Sequence, residues 1–201
     1  LEKYFDMEIN VENVYKNQYK DASDFVNQAV DYLRDRDDKT VSFAREGWIN
    51  WQRMRLRKDI VMLENGFEAN YTLTNIGMGA NRFAFGPEFN IALAAGLENE
   101  KYLILNGESN KHSVKAMLDE KELNQISIHN QHDKYQLTLR FDQPVRLMSY
   151  PVETIILAQK GYEKIYQGSA YLPLWQVESK PGQSYHFKLS FEILRADTDE
   201  S

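Results

Sequence analysis

The stretch RFAFGPEFNIAL, Arg82 to Leu93, brings a guanidinium, a carboxylate and a carboxamide onto one side of an alternating run. Phe83, Phe85, Phe89 and Ile91 take the apolar side, leaving Arg82, Ala84, Gly86, Glu88 and Asn90 opposite. Small residues between polar ones make a shallow floor. Sugars suit such floors, because hydroxyls need paired donors and acceptors while a ring's C–H face needs an aromatic wall. Alternation alone also describes an ordinary wet face of a large sheet.

The other residues with chemical potential are dispersed. HNQH places His129 and His132 three apart at a hairpin tip, and no Asp/Glu/His trio around them completes a metal-ligand spacing. His112 falls in a loop. His186 points outward on its strand and could move a proton only if it met a carboxylate such as Glu88 across a cleft. Trp48, Trp51 and Trp175 could stack on pyranose rings, yet at 12% aromatic content most rings must fill a core. Trp48 and Trp51, three apart in a strand-like run, face opposite sides, so alternation buries at most one of them. Trp175, just after Pro173 near a strand end, is expected at the surface. NIGMGANRF lacks the third glycine and the strand-to-helix setting of a phosphate loop, and no G-x-S-x-G elbow occurs. Among 30 acidic residues nothing singles out the carboxylate pair that glycoside hydrolysis uses. No catalytic residue, metal ligand or cofactor motif is assigned.

Bulk properties narrow the partners. The 201 residues carry a formal charge of −6 with the acids scattered, so there is no basic stripe for nucleic acid. No apolar run approaches the ~20 residues of a membrane-spanning helix. The first residues, LEKYFDMEIN, show neither a signal-peptide pattern nor an initiator Met, and read as the start of a piece of a longer chain. Cysteine is absent, which excludes disulfides, Cys-based zinc sites and thiol nucleophiles and fits a cytoplasmic setting.

The elements that must position these residues are mostly strands. SDFVNQAVDYLRD sets Phe25, Val26, Ala29, Val30 and Leu33 at helical spacing behind Ser23, an expected N-cap. RDRDDK is a solvated turn, and from Val41 the period drops from 3.6 to 2. In YQLTLRF, Tyr135, Leu137, Leu139 and Phe141 point inward; in HFKLSFEI, Phe187, Leu189, Phe191 and Ile193 do. Gly, Asn, Asp and Pro punctuate the strands, notably at Asn65-Gly66, Asn106-Gly107 and Pro181-Gly182. The expectation is a mainly β protein, an antiparallel β-sandwich with a short N-terminal helical segment: residues 1–40 a helical linker, residues 41–201 the sandwich, together one structural unit.

The succession YTLTN, FAFGPEFNIAL and YPVETIILAQKGYEKIYQGSAYLPLW resembles the C-terminal β-sandwich domain of glycoside hydrolase family 57 enzymes of the α-amylase and 4-α-glucanotransferase type. The matching residues are Phe85-Gly86, Glu88, Asn90, Pro151, Thr154, Gly161, Tyr162, Glu163, Tyr166, Gln167, Gly168 and Trp175. Ala158-Gln159 depart from the pattern, which holds Ser-Glu there. The resemblance implies a galactose mutarotase-like supersandwich and catalytic residues in an N-terminal barrel of the same polypeptide. It further implies an accessory role in which Glu88, Asn90, Gln167 and Trp175 are candidates for α-glucan (maltooligosaccharide) or interdomain contact. A free-standing mutarotase or epimerase and a purely structural domain are the alternatives.

Overall fold

Among the described residues, period-two patterning produces thirteen strands, with one short helix. The computed structural model describes residues 2–25, 29–34, 39–93, 100–158 and 161–195. In chain order they are β1 (Glu2–Phe5), α1 (Val11–Tyr15), β2 (Asp31–Arg34), β3 (Thr40–Ile49), β4 (Gln52–Leu63), β5 (Gly66–Asn75) and β6 (Asn81–Pro87). There follow β7 (Phe89–Ile91), β8 (Lys101–Leu105), β9 (His112–Ser113), β10 (Leu118–Asn130), β11 (Tyr135–Ala158), β12 (Gly161–Ser179) and β13 (Ser184–Arg195).

The main path runs β1-β6-β12-β11-β13-β5-β4-β3-β2, with β10 paired to β11 and β8, β9 to β8, and β7 to β12. The long strands change partners along their length. β11 pairs with β13 through Tyr135–Phe141 and with β12 from Arg146 onward. β12 pairs with β11 up to Leu174 and with β6 from Trp175. Strands shared in this way turn the corners of a sandwich.

The main core lies between the layers and takes Phe83, Phe85, Leu139, Phe141, Leu147, Trp175, Phe187 and Leu189. A second cluster forms on the outer face of β6, β11 and β12, where Ala84, Met148, Tyr150, Ala170, Leu172 and Leu174 are covered by Phe5, Ile9 and Val14. The N-terminal segment is therefore a lid on the sheet, which is why Gly168 to Trp175 are buried on both faces.

The helix lies elsewhere than periodicity places it. α1 spans Val11–Tyr15 and is capped by Asn10, whose Oδ1 accepts from Asn13 N at 3.0 Å. Ser23 is not an N-cap: it forms an isolated bridge with Ile49, and its amide and hydroxyl both donate to Asp21 Oδ1 at 2.8 Å. Asp31–Arg34 is a strand, paired residue by residue with Val41–Ala44. A strand partner supplies more backbone bonds here than a short helix would, and spacing cannot reveal that partner. Residues 26–28, and the side chain of Leu33, lie outside the described residues, as do those of Ala158 and Gln159. The run WINWQRMRLR is likewise not one strand. Asn50 and Trp51, with φ of 45° and 64°, form a two-residue turn joining β3 to β4, and both Trp48 and Trp51 are exposed.

Candidate functional site

Glu88 follows β6, and its alternation is as the sequence reads: Phe83 and Phe85 face the main core and Ala84 the outer cluster. The outer face is no open floor, because the N-terminal segment covers it. Glu88 Oε2 accepts from the Tyr150 hydroxyl at 2.7 Å and lies 3.8 Å from Lys3 Nζ, while Oε1 accepts from Asn90 Nδ2 at 3.1 Å. Lys3 Nζ donates to the Tyr19 hydroxyl at 2.8 Å. Burial first, then the neighbouring Glu88 carboxylate, pushes the Tyr150 phenol far above its ordinary range. Tyr150 therefore stays a neutral donor, and this group of side chains staples β1 and the N-terminal lid to the sheet.

Gln167 sits at a β-bulge. Val152 pairs with Gly168 and Glu153 with Tyr166, so Gln167 is the extra residue, exposed, its Nε2 donating to Thr154 Oγ1 at 3.1 Å. Beyond the bulge β11 and β12 continue as a two-stranded arm. Ile155, Leu157 and Tyr162 on one face are 66%, 77% and 81% exposed, and Ile156 and Ile165 on the other are exposed as well. Asn90 is near the root of this arm, on β7 opposite Ala170.

A polar strap holds the arm's base to α1. The Tyr15 hydroxyl donates to Glu153 Oε2 at 2.6 Å, and Lys164 Nζ donates to Tyr15 Oη at 2.5 Å and to Glu153 Oε2 at 3.1 Å. The Tyr15 bond first, then Lys164, holds the Glu153 carboxyl below its usual range. A depressed folded-state value means that the strap contributes fully above the ordinary carboxylate range and is lost as pH falls through the folded value. Being exposed, it steadies the arm locally more than the fold. Glu153→Gln is expected to speed amide exchange in Thr154–Ile165 at neutral pH and to match the unsubstituted protein in acid; an equal gap at both pH values would refute the strap.

Trp175 is not at the surface. It is 3% exposed, in register with Phe85, 5.0 Å from the Phe187 ring and edge-on to Phe141 at 6.2 Å. The misplacement arises at Pro173, which falls between the β7 pairing that ends at Tyr171 and the β6 pairing that begins at Trp175. On that side no ladder bond requires its missing N–H, so the strand runs through. The histidines do not converge with Glu88: His186 Nδ1 is 3.1 Å from Thr72 Oγ1, His129 stacks on Tyr102 at 4.7 Å, and His132 is 3.7 Å from Glu100. Among the described residues no group of three His, Asp or Glu could hold a metal ion.

Over residues 1–189 the chain matches the family described as Alpha-amylase/4-alpha-glucanotransferase, C-terminal. The chain belongs to this family. Among its relatives, α-amylase 1 of Dictyoglomus thermophilum is 22% identical over 197 residues, covering 96% of this chain and 27% of that protein. The 4-α-glucanotransferase of Thermococcus kodakarensis is 22% identical over 191 residues, covering 95% and 25%. The chain thus spans about a quarter of the length of these curated relatives. The crystal structure of the Thermococcus litoralis 4-α-glucanotransferase superposes with a TM-score of 0.73 at 21% identity, over 95% of this chain and 26% of that one. A putative aldose 1-epimerase from Escherichia coli K12 gives 0.59 at 10% identity, over 84% and 69%. At such identities the likeness is one of fold, an antiparallel sandwich that this chain shares with galactose mutarotase-like proteins. No described helix is long and apolar enough to cross a membrane.

Proposed function

We propose that this chain is the non-catalytic C-terminal accessory part of an α-glucan-acting hydrolase or 4-α-glucanotransferase of the glycoside hydrolase family 57 type, packed against a catalytic barrel in the same cytoplasmic polypeptide. Residues 1–40, which supply β1, α1 and β2 to the sandwich, lie on the side where that barrel attaches. The observation that carries the reading is the β11–β12 arm, whose Ile155, Leu157 and Tyr162 stand in solvent on a chain that spans about a quarter of its relatives. An apolar two-stranded arm is poorly stable alone and gains by burial, at about 1.5–3 kcal/mol for each fully buried large side chain. Asn90 and Gln167, both exposed at the arm's root, flank that contact, and Glu88 orients Asn90.

The test compares amide exchange of Thr154–Ile165 in the full-length protein and in the 201-residue chain. Strong protection in the full-length protein is expected. It should fall in Leu157→Ser/Tyr162→Ser, with the rest of the sandwich unaltered. Equal exchange in both chains would remove the docking arm and leave a domain held only by its linker.

A further inference from the structure

The β3–β4 turn carries a costly choice of residue. Both central positions of this two-residue turn have positive φ, 45° at Asn50 and 64° at Trp51. Such turns favour glycine in the second position, because a Cβ is disfavoured at positive φ. Here an indole occupies it, 87% exposed, so packing does not compensate the strain. A second indole, Trp48, is exposed one strand residue before the turn.

The chain at Ala22–Asp24 runs alongside and fixes this geometry. Asn50 N donates to Ala22 O at 2.8 Å, Asp24 N to Trp48 O at 3.1 Å, and Trp48 N to Asp24 Oδ1 at 2.8 Å. Between the two segments opens a cavity of about 360 Å³, lined by both indoles and by Asp6, Lys20, Asp21, Asp24 and Asn50. That volume lies within the ~300–1,000 Å³ of small-molecule sites. Among the described residues, Asp21 uses Oδ1 on Ser23, and Asn50 uses its amide nitrogen on Arg82 O at 3.0 Å, leaving Asp21 Oδ2 and Asn50 Oδ1 as acceptors.

We propose that this cavity binds a neutral α-linked gluco-oligosaccharide. Trp51 offers a ring face to the C–H side of a pyranose, Trp48 forms a second wall, and Asp6, Asp21 and Asn50 accept hydrogen bonds from hydroxyls. Asp6, Asp21 and Asp24 outnumber Lys20 around the cavity, on a chain of net charge −6, which favours a neutral sugar over a phosphorylated or uronic one. The glucan identity rests on the accessory-domain reading above; the site is separate from the β11–β12 arm and from Glu88, Asn90, Gln167 and Trp175.

Maltoheptaose titrated into the 201-residue chain, followed by intrinsic tryptophan fluorescence, tests the site. Saturable binding is expected, with cellohexaose weaker. Trp51→Gly should weaken binding at least about tenfold, the scale of a lost aromatic anchor. Because glycine relieves the positive φ, the same variant should hold or raise the melting temperature, whereas a residue placed there for folding would lower it. In the full-length protein Trp51→Gly should reduce retardation in a gel containing soluble starch. No saturable binding, or binding untouched by Trp51→Gly, overturns the proposal. Failure here with a protected β11–β12 arm leaves the accessory reading standing, while binding that survives Trp51→Gly moves the glucan contact elsewhere on the domain.

Discussion

Trp175→Ala is expected to cost about 3–5 kcal/mol of unfolding free energy, the range for deleting a large aromatic from a close-packed core. The indole is 3% exposed and sits among Phe85, Phe141 and Phe187, where rings from β6, β11, β12 and β13 meet. Its removal leaves a hole that none of these strands can close without breaking register. For a domain of this size the melting temperature should fall on the order of 10 °C. Trp175→Phe should cost markedly less. Phenylalanine keeps most of the ring contact and deletes Nε1–H, a buried donor with no hydrogen-bond partner among the described residues. Thermal denaturation of the two variants decides the matter: equal costs would mean that the N–H, not the packing, is what the site requires.

Gly86→Ala should be comparably damaging for a different reason. A Cβ on Gly86 would fall 1.9 Å from the carbonyl oxygen of Pro173 and 3.0 Å from Leu174 Cδ2. The first obstacle is backbone, and it is held by the pairing of Pro173 with Leu147. It cannot rotate away as a side chain could. Overpacking typically costs about 1–3 kcal/mol, and a clash this deep against a paired strand should reach or exceed the upper figure. Separation of β6 from β12 would also disturb Trp175 and Phe85, so the loss should appear in denaturant unfolding and in near-ultraviolet circular dichroism together. An unaltered midpoint would show that the two strands are not in close contact. The close approach gives the Phe85-Gly86 pair its physical meaning: one residue fills the core, and the next lets another strand's backbone in.

How far these features can be read before folding varies by residue. Leu137, Leu139, Phe141, Phe187 and Leu189 alternate with polar neighbours and are buried as expected. Ile193 continues the same pattern but is exposed, because it lies near the end of β13. Alternation reports a face, not where its cover stops. The N-terminal lid was hidden for a related reason: Phe5, Ile9 and Val14 obey no period, yet they bury the outer face of β12. Trp175 was misplaced because a proline usually ends a strand, and only the tertiary gap between the β6 and β7 pairings tolerates it. Both Trp48 and Trp51 are exposed, within the expectation that at most one is buried, but WINWQRMRLR reads as one strand because its turn has no glycine. Asn50, the one turn-forming residue in that run, was the available signal.

The pairing of β6 has a consequence for how the protein is made. Its two neighbours are β1, where Tyr4 meets Phe85, and β12, where Phe85 meets Trp175. During synthesis the first neighbour emerges long before β6 and the second long after. Until Trp175 leaves the ribosome, β6 presents a bare edge bearing Phe83 and Phe85, and the layer that it anchors cannot close. Folding must therefore wait for nearly the whole domain to be translated, at about 5–20 residues per second. In that interval the nascent chain carries an apolar strand with one side open, the kind of segment that chaperones hold and that overexpression drives into inclusion bodies.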